Sequence, residues 1–389
     1  MKDIKNYLQG LKTVVKEIDV KEAYNKLSSD AIIIDIREKD EIKSGSPIGS
    51  YRVSKGVLEM QISNITSNSN VHIALMCAGG SRSLLAANSL LQMGYSNVFS
   101  VKGGFKAWKD QSLPFEIPKS LNESDLERYK RHLLIPEIGE KGQIKLLKSK
   151  ILIVGAGGIG SSVAYYLAAA GVGTIGIIDN DIVDKTNLQR QILHTDDSIG
   201  KPKVESAKER LQALNPDIDI KIYNERVTKH NIEEIFQDYD IVLDGTDNFN
   251  TRYLINDACV KLKKPNIHGS VFLFEGQVST FWPSYKKEST PCYRCVYASP
   301  PPPELAPSCA EAGVLGVLPG MVGILCATEA IKIITEIGDL LVGKLLVYNA
   351  LHWEFDIFDI EADKECKYCN NKITSEYPDY INYDESCTV

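Results

Sequence analysis

Two kinds of hydrophobic pattern divide the chain. Residues 31–35 (Ala-Ile-Ile-Ile-Asp) and 71–76 (Val-His-Ile-Ala-Leu-Met) are short apolar runs. Runs of that length suit strands covered on both faces. In residues 83–93 the apolar positions change to helical spacing, with Leu84, Leu85, Leu90 and Leu91 on one broad face. A third strand is predicted over 97–101, before Gly103 and Gly104. Strands alternating with helices predict a parallel α/β sheet. Residues 114–124 are polar, carry Pro114 and Pro118 and have no periodicity, so they read as a connection.

A second block opens with a predicted helix over 123–134. A strand over 150–154 runs into Gly155-Ala156-Gly157-Gly158-Ile159-Gly160, an Ala-rich helix follows over 161–170, and a strand over 174–178 ends in Asp179. That is a βαβ unit. A further strand over 240–243 ends in Asp244-Gly245-Thr246-Asp247. Residues 299–307 contain four consecutive prolines and predict a stiff extended loop. The greasiest long segment, 314–334, is interrupted by Pro319, Thr328, Glu329 and Lys332, so it reads as a core helix with its approach loop and not as a membrane span. No repeat at solenoid spacing is visible.

Composition narrows the class. A length of 389 residues allows two or three domains, and ordinary Gly, Pro, apolar and charged contents exclude collagen-like, low-complexity and wholly disordered chains. With 44 basic and 51 acidic residues the net charge is −7, which lacks the basic footprint of a nucleic-acid binder. No apolar segment follows the charges of the N-terminus, so neither a secretion signal nor membrane attachment is expected. Nine cysteines, an odd number in a long chain, argue against a disulfide scaffold and for a cytoplasmic protein whose cysteines are ligands, nucleophiles or core residues.

Gly155, Gly157 and Gly160 fit a dinucleotide-type phosphate loop, with Asp179 about twenty residues on to hold a ribose hydroxyl. The first glycine permits the turn, the second lets backbone approach a phosphate, and the helix N-terminus stabilises the anion. The motif alone does not separate NAD from ATP. The basic residues in Asn187-Leu188-Gln189-Arg190-Gln191 and Gly200-Lys201-Pro202-Lys203, with the strand-end carboxylate Asp247, favour a triphosphate and a magnesium ion. An NAD-dependent dehydrogenase needs fewer cations there.

Two C-x-x-C pairs, Cys292/Cys295 and Cys366/Cys369, each offer two thiolates on a tight turn, and together they predict a structural four-cysteine zinc site. Cys77-Ala78-Gly79-Gly80-Ser81-Arg82-Ser83 follows a strand and opens a helix. Backbone N–H groups in such a loop form an anion nest, which lowers the pKa of a cysteine and makes it nucleophilic.

Arg128-Tyr129-Lys130-Arg131-His132, the glycine loop, Ile178-Asp179-Asn180-Asp181, the Asn187 and Lys203 motifs, Thr246-Asp247-Asn248 and Cys309-Ala310-Glu311-Ala312-Gly313 come in one order. Residues 124–373 thereby resemble the MoeB/ThiF adenylyltransferases, relatives of the ubiquitin-activating enzymes. The resemblance implies ATP-dependent adenylation of the C-terminal Gly-Gly of a ubiquitin-like sulfur carrier by a homodimer. It implies nucleotide contacts by Gly157, Gly158 and Asp179, phosphate or ribose contacts by Asn187, Arg190 and Lys203, magnesium on Asp247, zinc on the four cysteines, and Arg131 reaching the ATP of the other subunit.

Residues 14–117 resemble a rhodanese domain through Ile34-Asp35-Ile36-Arg37-Glu38, the Cys77 loop, and Val101-Lys102-Gly103-Gly104-Phe105 with Trp108. The resemblance implies a persulfide on Cys77, with Arg82 closing a loop one residue shorter than a phosphatase loop. A protein persulfide, as from a cysteine desulfurase, is then a plausible donor, and Ala78 weighs against efficient use of thiosulfate. Relatives with a fused rhodanese use the cysteine matching Cys309 as a thiol acceptor. The expected fold is therefore α/β: a rhodanese-like domain over 1–117, a linker over 118–123, and a doubly wound, Rossmann-like adenylation domain with a zinc site over 124–389. The leading functional reading is a molybdopterin-synthase adenylyltransferase and sulfurtransferase. Carriers for thiamine or tRNA thiolation, a non-sulfur dehydratase and a scaffold with dead sites are the alternatives.

Overall fold

The computed structural model describes residues 3–26, 31–117, 121–287, 290–300, 313–369 and 379–380. The chain divides into two compact units, Met1–Ser120 and Leu121–Val389. The first contains strands β1 (Lys16–Ile18), β2 (Ile32–Asp35), β3 (Ser46–Pro47), β4 (Tyr51–Arg52), β5 (Ile73–Met76), β6 (Val98–Val101) and β7 (Phe115–Glu116). Five of these form a parallel sheet in the order β1-β6-β5-β2-β4, and β3 pairs with β7. The central strands β2 and β5 are apolar because both faces are covered. Ile34, Leu75, Leu84 and Leu90 pack on one side, and Ile33, Met76, Phe105 and Trp108 on the other.

The second unit holds β8 (Lys150–Val154), β9 (Thr174–Ile178), β10 (Asp219–Tyr223), β11 (Ile241–Asp244), β12 (Asn266–Phe272), β13 (Glu275–Phe281), β14 (Lys344–Asn349) and β15 (Glu354–Asp359). Their order is β10-β9-β8-β11-β12-β13-β14-β15. The strands from β10 to β12 run parallel, and the order reverses between β8 and β11. Open α/β sheets bind ligands at such a reversal, beyond the carboxyl ends of the strands. From β12 to β15 the pairing is antiparallel, an extension that a doubly wound pattern does not contain.

The predicted helix over 123–134 is two helices, Glu123–Arg128 and Lys130–Leu133. They break at Tyr129, which is buried and accepts a hydrogen bond from Asn215 Nδ2 at 3.0 Å. Its ring packs so tightly on Gly171 that a Cβ there would lie 2.5 Å from it. The apolar helix Val317–Thr335 is long and apolar enough to cross a membrane. Here it packs on helix Gly158–Ala170 and buries Val322, Cys326 and Ala330 in the core.

Candidate functional site

The cleft of the second unit opens where the strand order reverses. Its walls include Gly155, Gly157, Gly158, Asp179, Asp181, Arg190, Lys203, Thr246, Asp247 and Arg252. The loop glycines differ in what they do. Gly155 has φ +96°, which favours glycine, and a Cβ on Gly160 would stand 1.9 Å from Gly155 O. Gly160 thus lets the helix sit directly on the loop. Gly157 meets nothing closer than Gln191 Nε2 at 3.9 Å, so its side is left open to a ligand. Helix Gly158–Ala170 begins inside the loop, three residues earlier than the sequence predicts, which puts its N-terminus in the cleft.

Asp179 braces this loop. Its Oδ2 accepts from Ala156 N and its Oδ1 from Asp181 N, each at 2.8 Å. Lys203 is buried at the start of helix Lys203–Leu214 and donates to Asp181 Oδ2 at 2.9 Å. Arg190 Nη1 donates to Thr186 O at 3.2 Å. Asp247 is exposed in the cleft and followed by Asn248, whose Oδ1 accepts from Thr251 N and caps helix Phe249–Leu262.

Beneath that turn lies a pair that the sequence reading did not single out. His268 Nδ1 is 2.9 Å from Asp244 Oδ2, and both side chains are buried. Burial pushes the His268 pKa down, so the imidazole is neutral and donates from Nδ1. Burial is the largest influence on Asp244 and opposes its charge, but the hydrogen bonds from His268 and Thr246 and the nearby Arg252 charge together outweigh it, and the carboxyl lies below its ordinary value. Asp244 Oδ1 accepts from Thr246 N and Oγ1, while Arg252 Nη2 donates to Thr246 O at 2.8 Å. These bonds set the turn that carries Asp247.

His194 does similar work on the other wall. Its Nε2 is 3.0 Å from Ala156 O and its Nδ1 is 3.0 Å from Ser206 Oγ, linking the glycine loop to the Lys203 helix.

Two expected nucleotide ligands are not on this wall. Asn187 Oδ1 accepts from Asp184 N and belongs to the capping box of the turn Lys185–Asn187. Arg131 is exposed on helix Lys130–Leu133 and does not line the cleft of its own chain. Cys309 lies outside the described residues.

The sulfur atoms of Cys292, Cys295, Cys366 and Cys369 all lie within 4.8 Å of one another. The separations Cys292–Cys366, Cys295–Cys369 and Cys292–Cys295 are 3.7, 3.4 and 3.9 Å. Zinc–sulfur bonds of about 2.3 Å in a tetrahedron place sulfurs about 3.8 Å apart, so the cluster fits the ion. Arg294, between the first pair, forms a fork-to-fork bond with Asp257 at 2.7 Å on both arms.

In the first unit Cys77 directly follows β5 and Gly80, at φ +100°, opens helix Ser81–Gln92. Gly80 N donates to Cys77 Sγ at 3.1 Å and Ser83 Oγ lies 3.6 Å from it. Burial opposes ionisation of this thiol, but hydrogen bonds from Ser83 and the backbone of Gly79 and Gly80 outweigh it, so its pKa lies below the ordinary value. The loop is clamped by Gly104, where a Cβ would lie 2.1 Å from Cys77 O. Arg82 is paired with Glu41.

Comparison with known proteins fits both sites. Residues 129–370 match the model of the ThiF family, and residues 19–111 match that of the rhodanese-like domain. The chain belongs to the ThiF family. It is 44% identical over 280 residues to the probable adenylyltransferase/sulfurtransferase MoeZ of Mycobacterium tuberculosis, covering 72% of this chain and 69% of that protein. Over 266 residues it is 44% identical to the sulfur carrier protein adenylyltransferase of Thermus thermophilus, covering 68% and 97%. Among solved structures, E. coli MccB with MccA-N7isoASN superposes with a TM-score of 0.56 at 25% identity, covering 69% of this chain and 80% of that one.

For a ThiF-family chain, the additions that the structure makes to the sequence reading are Arg252, His194, and the Asp244–His268 pair. Arg252 bonds Thr246 O, a backbone acceptor outside its own helix, so helical spacing gives no signal of it. The two histidines carried none, because their partners are distant in sequence.

Proposed function

We propose that this enzyme adenylates the C-terminal glycine of a ubiquitin-like sulfur carrier with ATP and then converts it to a thiocarboxylate with sulfur held on Cys77. The cleft carries the reading: a helix N-terminus, Arg190, Lys203 and Arg252 converge on one space with Asp247 at its rim. A hydride-transferring site has less use for that positive charge. The names of the relatives, adenylyltransferase and sulfurtransferase, point the same way.

In the first half-reaction the carrier carboxylate attacks the α-phosphorus in line and pyrophosphate leaves. The N–H groups of the glycine loop and the cations Arg190 and Lys203 stabilise charge on the phosphate oxygens. Lys203 would exchange part of its bond to Asp181 for a phosphate. Asp247 and the cleft oxygens suit a hard cation, and a magnesium ion there would neutralise the leaving pyrophosphate. We assign Arg131 to the ATP of a second copy, because it is exposed and away from its own cleft, which makes the working form a homodimer.

In the second half-reaction the perthiolate of Cys77 attacks the acyl carbon and AMP leaves, giving an acyl disulfide. A second thiolate, for which Cys309 is our candidate, attacks the Cys77 sulfur and releases the thiocarboxylate, leaving a Cys77–Cys309 disulfide that a small-molecule or protein dithiol must reduce before the next turnover. A cysteine desulfurase is the proposed source of sulfur. The four cysteines hold zinc for structure alone, since a closed tetrahedral site leaves no position for substrate. Thiolate and persulfide chemistry requires a reducing compartment, the cytoplasm.

The test is carrier-dependent exchange of labelled pyrophosphate into ATP, followed by intact mass of the carrier. Exchange plus replacement of one oxygen by one sulfur supports the assignment. NAD-dependent hydride transfer in place of exchange, or neither activity, refutes it.

A further inference from the structure

Within the Cys77–Ser83 loop Arg82 is the sole charged residue, and its charge is already matched. Arg82 Nη1 donates to Glu41 Oε2 at 2.7 Å and Nη2 to Glu41 Oε1 at 2.5 Å, a fork-to-fork pair. Glu41 lies on the short helix Lys39–Ile42, and its Oε2 also accepts from Glu38 N at 3.1 Å, which fixes the direction of the carboxylate. The Arg82 hydrogen bond holds the Glu41 pKa at about 2, so the acid is charged wherever the enzyme works. Glu38 adds a second negative charge facing Arg82. Arg37 is committed to Asp35, Gly45 O and Glu41 O. The Arg82 charge also reaches Cys77, but the hydrogen-bond partners of Cys77 Sγ are neutral, Gly80 N at 3.1 Å and Ser83 Oγ at 3.6 Å.

The loop therefore offers hydrogen bonds without net positive charge, and sulfane donors differ in how much they need it. With thiosulfate, Cys77–S⁻ attacks the outer sulfur, the sulfur–sulfur bond breaks, and sulfite leaves with the electron pair: Cys77–S⁻ + S–SO₃²⁻ gives Cys77–S–S⁻ + SO₃²⁻. Three negative charges meet at that encounter. With a persulfide reacting through its protonated form, Cys77–S⁻ + R–S–SH gives Cys77–S–SH + R–S⁻, the proton staying on the transferred sulfur, and one negative charge is present at the encounter.

We propose that Glu41 is the specificity-determining residue of sulfur loading: by neutralising Arg82 it disfavours small dianionic donors and reserves Cys77 for persulfides. The inference rests on the reading that Cys77 carries sulfane sulfur. Glu41 acts through Arg82, so it is a positioning residue and not a catalytic one.

The experiment loads the full-length chain with thiosulfate or with cysteine persulfide and measures the rate of Cys77 persulfide formation by intact mass. Glu41→Gln keeps an acceptor for Glu38 N but frees the Arg82 charge. The ratio of thiosulfate to cysteine persulfide rates is expected to rise about two- to fivefold, the scale of a partly exposed charge pair. The gain should shrink as salt is raised and vanish in Glu41→Gln/Arg82→Gln. Where Glu41→Gln does not give folded protein, Glu38→Gln carries the test, with a smaller rise in the same direction. An unchanged ratio in a folded variant, or a gain that survives loss of Arg82, overturns the proposal. If Cys77→Ser is loaded as well as the parent, the failure lies with the reading of Cys77 itself.

Discussion

Lys203 Nζ lies 2.9 Å from Asp181 Oδ2, the lysine side chain 7% exposed and the aspartate 62% exposed. The ammonium is thus anchored from the open side of the cleft while its stem is packed into the wall. Lys203→Gln is expected to lower carrier-dependent pyrophosphate exchange by about 10²-fold, since one donor to developing phosphate charge is lost. Asp181→Asn removes only the anchor and should cost several-fold less. Steady-state exchange kinetics measure both, and equal losses would mean that the pair acts only as structure.

Asp247→Ala should abolish adenylate formation while the thermal transition stays near that of the parent, because Asp247 is exposed and its turn is set by Asp244 and Arg252. Loss of a magnesium ligand removes several kcal/mol of charge stabilisation. Pyrophosphate exchange titrated with magnesium is the measurement, and near-normal exchange would remove Asp247 from the metal site.

His194 gives the adenylation unit a pH dependence. Its pKa is lowered from 6.5, first by burial and then by the nearby Lys203 charge, against the raising effects of Ala156 O and Asp179. The native state therefore keeps His194 neutral where the unfolded chain binds a proton. Stability from this residue is complete above the unfolded value and is lost as pH falls below it toward the native pKa. The midpoint of thermal unfolding should fall from pH 7 to pH 5, and His194→Gln should flatten that slope. A steeper slope in the variant would reverse the sign.

Continuous apolar runs made β2, β5, β8, β9 and β11 legible, since strands covered on both faces have few other ways to be written. The hairpin of β12 and β13 was not legible. Its turn places Leu273 at φ +50°, where Asn-Gly or Asp-Gly would have announced it. Edge strand β15 is exposed throughout and resembles an ordinary polar–apolar segment. The helix break at Tyr129 depends on Asn215 and Gly171, both distant in sequence. Among site residues, the glycines and Cys77 act through backbone geometry that local sequence encodes. Glu41, His194 and His268 act through partners that only folding supplies.

Chelation at the four-cysteine cluster should destabilise the adenylation unit before it affects chemistry. Structural zinc contributes about 10 kcal/mol in isolated small peptides, and less is expected where a large core exists. Cys366→Ser should lower the melting temperature and the zinc content together, because Cys366 joins the chain beyond β15 to Cys292. Elemental analysis and calorimetry on the same sample make the comparison. Full stability without bound zinc would show that the thiols pack unaided.

Cys77→Ser should separate the two half-reactions. Cys77 belongs to the first compact unit and the glycine loop to the second, each with its own core. Adenylate formation, read by pyrophosphate exchange, is expected to survive. Thiocarboxylate formation from a persulfide donor should fall by orders of magnitude, because serine cannot hold sulfane sulfur and its hydroxyl is a poor nucleophile at neutral pH. The Cys77 nest makes the contrast sharp. Gly80 N and Ser83 Oγ stabilise a thiolate, whereas an alkoxide of far higher pKa gains too little from them to form. Cys309→Ala should likewise keep exchange, and it should trap the acyl disulfide on Cys77 if the second thiolate is Cys309. Intact mass of carrier and enzyme after one turnover distinguishes the species. A full yield of thiocarboxylate from Cys77→Ser, with only a protein persulfide supplied, would show that sulfur reaches the adenylate without the rhodanese-like loop.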